Sequence, residues 1–375
     1  MLNEFLSPYL PNHDLWKETS LGHLTCFYET EIPDLAETDI AIIGINDGRH
    51  SEGNEGCKNA PDAIRETFYP LIRQNTRLRI SDLGNIQAGD TFEDSLAALK
   101  TVVEILLKEN IIPVILGGTN ELALAQYTAY ERICKNLEYV CITPEFDLKH
   151  ETYLRKICTH QPNYLFNINV VGYQSYLVED DSLGAMGKLY FEANRLGSLK
   201  KNINEAEPML RNADMVTFNM AAIKQADAPA HANGNPSGFT GEEACQLAWY
   251  SGVSDKVKTF GLYELNPDFD NYRQTAKLAA QMVWYFVDGY YNRKSDNPVM
   301  HQEFLKYRCT LGEGQPDAVF YKSKLSDRWW MEVPYPDQNG SDHSLLIPCN
   351  YNDYLTASKG EMPDRFWRSF QKINL

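Results

Sequence analysis

The chain has 375 residues, of which 43% are hydrophobic, and it carries a formal charge of −16 at pH 7. A polypeptide of this length buries roughly three-quarters of its unfolded surface, so it needs neither disulfides nor a structural metal to stay folded. The acidic residues are scattered rather than gathered in a tail, which argues against nucleic acid and anionic membranes as partners.

No stretch approaches the ~18 uninterrupted apolar residues of a membrane span, and residues 1–14 lack the basic start and apolar run of a signal peptide. The expected location is cytoplasmic. The eight cysteines (Cys26, Cys57, Cys134, Cys141, Cys158, Cys245, Cys309 and Cys349) include no CxxC pair, the pattern of reduced thiols acting mostly as small core residues.

In chain order, unbroken runs rich in β-branched and aromatic residues predict strands over 39–45, 111–116, 138–142, 164–171, 214–219 and 258–264. Between them, helical patterns cover 60–72, 92–110, 121–135, 184–196, 241–251 and 272–291. Asp90 with Glu93, and Thr240 with Glu243, predict capping boxes at the starts of two of these helices. Such alternation implies a parallel, doubly wound sheet between two helical layers, a three-layer α/β/α fold.

After Arg293 the texture changes. Asp296, Asn297 and Pro298 break the pattern, and the remainder carries Phe304, Tyr307, Phe320, Tyr321, Trp329, Trp330 and Trp367. Residues 294–375 are therefore expected to form an aromatic-rich C-terminal extension packed on a main domain of residues 1–293.

In a doubly wound sheet ligands bind beyond the carboxyl ends of the strands, so the segments that follow the strands matter most. These are GGTNE (117–121), TPEFD (143–147), TFNMAA (217–222) and ELNP (264–267). With GINDG (44–48), NEGCKNAPDAIR (54–65), IIPVILGG (111–118), ADAPA (226–230) and PSGFTGEEA (236–244), this ordered set resembles the arginase and formimidoylglutamase, or ureohydrolase, superfamily over about residues 39–293. The FDL of Phe146, Asp147 and Leu148 is similar to the formimidoylglutamase branch in particular.

The resemblance implies an arginase-like fold and a set of expected site positions. In the family, GGxH, DxHxD and SxDxD segments supply two histidines and four aspartates that hold two divalent metals, usually manganese. A metal-bridging hydroxide then attacks a guanidinium or formimino carbon. Carried over position by position, Asn120 stands for the first histidine, Thr143 for the first aspartate and Glu145 for the second histidine, while Asp147 is retained. Asn219 and Ala221 replace both aspartates of the third segment, and Glu264 matches a family glutamate that contacts the substrate's cationic group.

Losing even a residue that merely orients a metal ligand costs roughly 10 to 100-fold in metal affinity or activity. Without metals, nothing in these segments lowers the pKa of water towards about 7. The implied protein is a catalytically silent family member without a cofactor, with a ligand-binding or protein-interaction role. The alternative is an active C–N hydrolase of formimidoylglutamate or a guanidino compound with an altered metal centre. Glu145 and Asp147, with Asn120 and Asn219, leave room for one weakly held Mg²⁺ or Ca²⁺. The expected partners are a small-molecule ligand and either further copies of the chain, as the family forms rings, or another protein.

Several residues carry two readings. Gly117 and Gly118 serve either a ligand or a tight turn. Asp147 is a relic ligand or a cap, and Glu264 a ligand contact or half of a buried ion pair. Cys141 and His150, with Glu145, have the chemistry of a cysteine hydrolase if thiol and imidazole meet; an inert core thiol is the alternative. Trp329 and Trp330 anchor a partner or pack a core.

Overall fold

A computed structural model describes residues 2–13, 16–74, 77–298, 303–312, 317–336 and 342–373. Ten strands form the central sheet: β1 (Leu6–Ser7), β2 (Cys26–Phe27), β3 (Ile40–Asn46), β4 (Ile80–Gln87), β5 (Ile112–Leu116), β6 (Leu137–Ile142), β7 (Leu165–Tyr173), β8 (Glu192–Arg195), β9 (Met215–Asn219) and β10 (Thr259–Tyr263). Their order is β1-β4-β3-β5-β10-β9-β6-β7-β8, with β2 also on β4; every pairing is parallel except β1 with β4.

Side-chain alternation along the strands builds the two outer layers. Ile40 and Ile42 on β3, Val114 on β5 and Val140 on β6 face helices Ala60–Phe68, Gly241–Gly252 and Gln274–Tyr291. Ala41, Ile43, Ile115 and Tyr139 point the other way, on to Phe92–Lys108, Ala123–Thr128 and Tyr153–Thr159. Burial on both faces favours apolar residues at successive positions of a strand, which is why these runs lack polar alternation. Among the described residues no helix is long and apolar enough to cross a membrane.

The six expected strands are present within a residue or two of their expected ends, but β4 was not expected. Its sequence, ISDLGNIQ, buries Ser81, Asp82 and Asn85. Their polarity is met from outside the strand, because the fully buried Arg65 bonds the Asp82 carboxylate at 2.7 and 2.9 Å and the Gly84 carbonyl at 2.8 Å, and also reaches Asn85 Oδ1. The expected helix over 184–196 is instead Asp180–Lys188, followed by edge strand β8 and a short helix, Leu196–Leu199. Glu179, Asp180 and Asp181 suit the positive end of the helix dipole, and Tyr190, with φ of 54°, turns the chain out of it. Helix 121–135 shortens to Ala123–Thr128 behind a 3₁₀ turn, and helix 60–72 ends at Phe68. The capping box of the long helix uses Thr91 and Asp94 rather than Asp90 and Glu93; the Thr240 and Glu243 box forms as read.

Beyond residue 298 a second, antiparallel sheet follows: β11 (Phe304–Cys309), β12 (Ala318–Ser323), β13 (Trp329–Pro336) and β14 (Asp342–Cys349). Helices Tyr351–Ser358 and Asp364–Ile373 close its own core of Phe320, Trp329, Met331, Ile347 and Phe366. Arg211 of the main sheet's helical layer ties it down, donating to the carbonyls of Trp329 and Cys349 at 3.0 Å each and lying 4.3 Å over the Trp330 ring. Trp329 and Trp330 are thus buried packing residues.

Candidate functional site at the carboxyl edge of the sheet

The chain turns sharply after β5. Gly117 and Gly118 adopt φ of 80° and 76°, and a Cβ at Gly117 would come within 2.5 Å of Pro61 Cδ, so the turn reading of these glycines holds. Gly117 N–H donates to the Leu262 carbonyl at 2.8 Å, Gly118 N–H to Cys57 at 3.2 Å, and the Gly118 carbonyl accepts from Glu264 N–H at 3.0 Å. The ends of β5 and β10 and the loop after β3 are joined at this point.

Glu264 is the hub of the junction. It is buried, and its backbone is left-handed with φ of 71°, a conformation that non-glycine residues hold only where the surroundings enforce it. Its Oε2 accepts from Ser51 Oγ at 2.5 Å and Asn54 Nδ2 at 2.8 Å, and its Oε1 accepts from Asn120 N–H at 2.7 Å. Asn54 also donates to the Glu264 carbonyl at 3.2 Å and accepts from Ala232 N–H at 3.0 Å, which brings in the loop after β9. Among the described residues no Arg or Lys pairs with Glu264; the nearby cation-capable group is His231, whose Nε2 is 3.7 Å from Oε2. Asn233 N–H donates to His231 Nδ1 at 3.0 Å, so a neutral ring carries its proton on Nε2, facing the carboxylate. Burial depresses the His231 pKa, against the raising effect of Glu264.

The loop that supplies Ser51 and Asn54 is held from beneath by Asp47 and Arg49. Their ion pair is 2.6 Å long, and Arg49 also donates to the Gly89 and Thr91 carbonyls at 3.0 Å. Burial acts to raise the Asp47 carboxyl, but the hydrogen bonds from Arg49 prevail and hold it below its usual range.

These elements surround a cavity of about 450 Å³. Asn120, Thr143, Glu145, Asp147, Asn219 and Glu264 all line it, although they come from four separate strand ends. Ala221 does not line it: it sits in a buried 3₁₀ turn, Met220–Ala222. Ser51, Asn54 and His231 line it too, with His50, Glu121 and Tyr153. Sequence reasoning assigned these six no role at the site. Asn54 lay inside a quoted motif and His231 directly follows ADAPA, which was the available signal.

Three of the groups at the positions expected to hold metal are engaged elsewhere. Asp147 Oδ1 accepts from the N–H groups of Lys149 at 2.6 Å and His150 at 3.3 Å, and Oδ2 meets His150 Nδ1 at 2.5 Å. Burial acts to raise its carboxyl, but these bonds hold it below its usual range. Asn219 Oδ1 caps the next turn through Ala221 N–H at 2.8 Å, and Thr143 Oγ1 donates to the Glu145 carbonyl at 2.8 Å. Glu145 lines the cavity but is solvent-exposed; desolvation by the protein atoms around it, and then the charge of Glu264, raise its carboxyl. This donor set does not fit a pair of dications, and among the described residues no group of three or more His, Cys, Asp or Glu is arranged to hold a metal.

Cys141 is buried on β6 beside Tyr139 and Tyr153, where burial pushes its thiol up to about 12. His150 lies on the exposed side, bonded to Asp147. Thiol and imidazole keep different partners, and Cys141 is a core residue.

The fold and strand-end cavity define an α/β/α protein of ureohydrolase type. The arginase family model matches residues 38–288, two-thirds of the chain, and the chain belongs to the arginase family. Formimidoylglutamase of Staphylococcus epidermidis is 24% identical over 308 residues, covering 73% of this chain and 97% of that protein. Its counterpart in Staphylococcus aureus is 26% identical over 251 residues, covering 63% and 81%. Among solved structures, Trypanosoma cruzi formiminoglutamase with Mn²⁺ superposes with a TM-score of 0.64 at 19% identity over 70% of this chain and 96% of that one. Bacillus subtilis formimidoylglutamase gives 0.65 at 15% identity, over 76% and 95%. At such identities the structural likeness speaks for the fold.

Proposed function

We propose that this chain is a non-hydrolytic, arginase-family binding protein, whose carboxyl-edge cavity takes a small molecule without a metal pair. One observation carries the reading: at three of the expected ligand positions, Thr143, Asp147 and Asn219, the side chains are turned to their own backbone. A ligand oxygen must present a lone pair to the ion, but Asp147 and Asn219 present theirs to the N–H groups of Lys149 and Ala221. Ala221 offers no donor atom, and no residue of the cavity replaces the lost charge in a position to bridge two ions. Further copies of the chain or another protein as partners belong to the same proposal.

The second reading is an active C–N hydrolase with an altered centre. It is favoured by the extent of the match to formimidoylglutamases, which takes in 97% of one such protein. Metal analysis of protein purified with excess Mn²⁺, together with assays on formimidoylglutamate, arginine and agmatine, separates the two. The proposal expects far less than one metal ion per chain and no turnover. About one or two Mn²⁺ per chain with turnover of any of the three establishes the second reading.

A further inference from the structure

The cavity has a sign. Glu52, Glu121, Glu145, Asp147, Glu179 and Glu264 line it, and no Lys or Arg does. Asp147 is committed to His150 and Glu179 to Lys149, but no protein donor bonds the Glu145 carboxylate among the described residues. The site itself is given by the strand-end cavity and the Glu264 junction; the charge decides only what fits there. A ligand with two carboxylates would meet no cation in the lining, and desolvating its charges without partners is costly.

The junction also discriminates between kinds of cation. A carboxylate offers about four lone-pair positions, and Glu264 has given three of them to Ser51, Asn54 and the Asn120 N–H. A guanidinium or amidinium binds a carboxylate best through two parallel N–H donors, one to each oxygen. With a single position left, Glu264 suits a point donor, which is what an ammonium group is. Phe146, Leu154 and Leu177 supply apolar wall that suits methylene groups, and the exposed Glu52 lies on the same lining for a second charge.

We propose that the cavity binds a linear alkyl di- or polyamine, with one ammonium group held against Glu145 and Glu264. This rests on the reading that the cavity works without a metal pair. Glu145, where the family has a histidine, is then the specificity-determining residue, since its carboxylate supplies the charge that a metal site would repel from the same place.

The test is calorimetric titration of the full chain, at physiological ionic strength and with a chelator present, using spermidine, putrescine, 1,4-diguanidinobutane and formimidoylglutamate. Spermidine is expected to bind at one site per chain at least about tenfold more tightly than 1,4-diguanidinobutane, which has a guanidinium at each end and no ammonium, with formimidoylglutamate not binding. Glu145→Gln should weaken spermidine about tenfold or more, and Glu109→Gln, on the far surface, should leave it unchanged. Binding of 1,4-diguanidinobutane as tight as that of spermidine overturns the point-donor argument, and formimidoylglutamate binding overturns the charge argument. Spermidine affinity that survives Glu145→Gln means that the amine sits elsewhere on an acidic surface, and this too overturns the proposal. Hydrolysis with bound Mn²⁺ would remove the proposed function itself, whereas a metal-free, inactive protein that ignores spermidine would remove only this inference.

Discussion

Replacing Glu264 by Gln tests whether the site is organised by that one carboxylate. The glutamine keeps a single acceptor oxygen, so it can serve either Ser51 and Asn54 or the Asn120 N–H, but not both groups. If the oxygen stays with Ser51 and Asn54, the new NH₂ group faces the Asn120 N–H, donor against donor. Two hydrogen bonds then lose the charge that made them about twice as strong, and one backbone N–H loses its acceptor. With hydrogen bonds to charged groups contributing ~1.5–3 kcal/mol and a stranded donor costing ~1–3 kcal/mol, partial relaxation brings the expected loss to about 2–4 kcal/mol. Urea denaturation followed by circular dichroism should show the midpoint falling with little change in slope. Ser51→Ala should cost less, and the double variant less than the sum, because both act on the same carboxylate. A loss below about 1 kcal/mol for Glu264→Gln would refute the reasoning: the three loops would then be held by something other than Glu264.

Arg65→Met should destabilise by about 3–5 kcal/mol, since it leaves the buried Asp82 carboxylate without its cation; Arg65→Met with Asp82→Leu should recover much of that in the same urea titration, and equal losses for the two would contradict it. Lys372, whose ammonium bonds Asn167 and lies 5.0 Å over the Phe191 ring, near Glu138, Glu192 and Arg368, is lowered by burial from 10.5 to about 8. Between those two values the docked C-terminal helix holds fewer protons than the undocked one, so docking should tighten as pH rises from about 8. Hydrogen exchange of Asp364–Ile373 at pH 7 and pH 9.5, corrected for intrinsic rates, should show greater protection at the higher pH, and Lys372→Met should abolish the difference; protection falling with pH would mean that the charged amine is the docking form.

The sequence was most legible where burial is complete. Ile40 to Ile45, Ile112 to Leu116 and Tyr139 to Ile142 are apolar because helices cover both faces, and that pattern located the strand ends where the cavity opens. It was least legible where polar groups are buried and satisfied at a distance. Ser81, Asp82 and Asn85 disguise β4 as a loop because their partner Arg65 lies in another element, 17 positions before Asp82. Ser51, Asn54 and His231 were missed for a related reason: their meaning comes from Glu264, more than 200 positions from the first two, and no local periodicity records such a meeting.

On the proposed reading, the fate of the individual strand-end residues explains how a fold built around metal ligands stands without them. A ligand side chain in a metal site aims its oxygen outward, where like charges would repel without the ion. Asp147 and Asn219 instead turn inward and cap the turns that follow β6 and β9, which satisfies N–H groups that a strand end leaves exposed. Glu264 draws its donors from two loops, those that follow β3 and β5. The strand ends are therefore held in register by hydrogen bonds internal to the chain, and Glu145, which accepts from no protein donor among the described residues, is free to answer to whatever enters the cavity. On the proposed reading, restoring metal ligands would have to compete with these caps: Asn219→Asp would keep its bond to Ala221 N–H and aim away from an ion unless the turn rearranged.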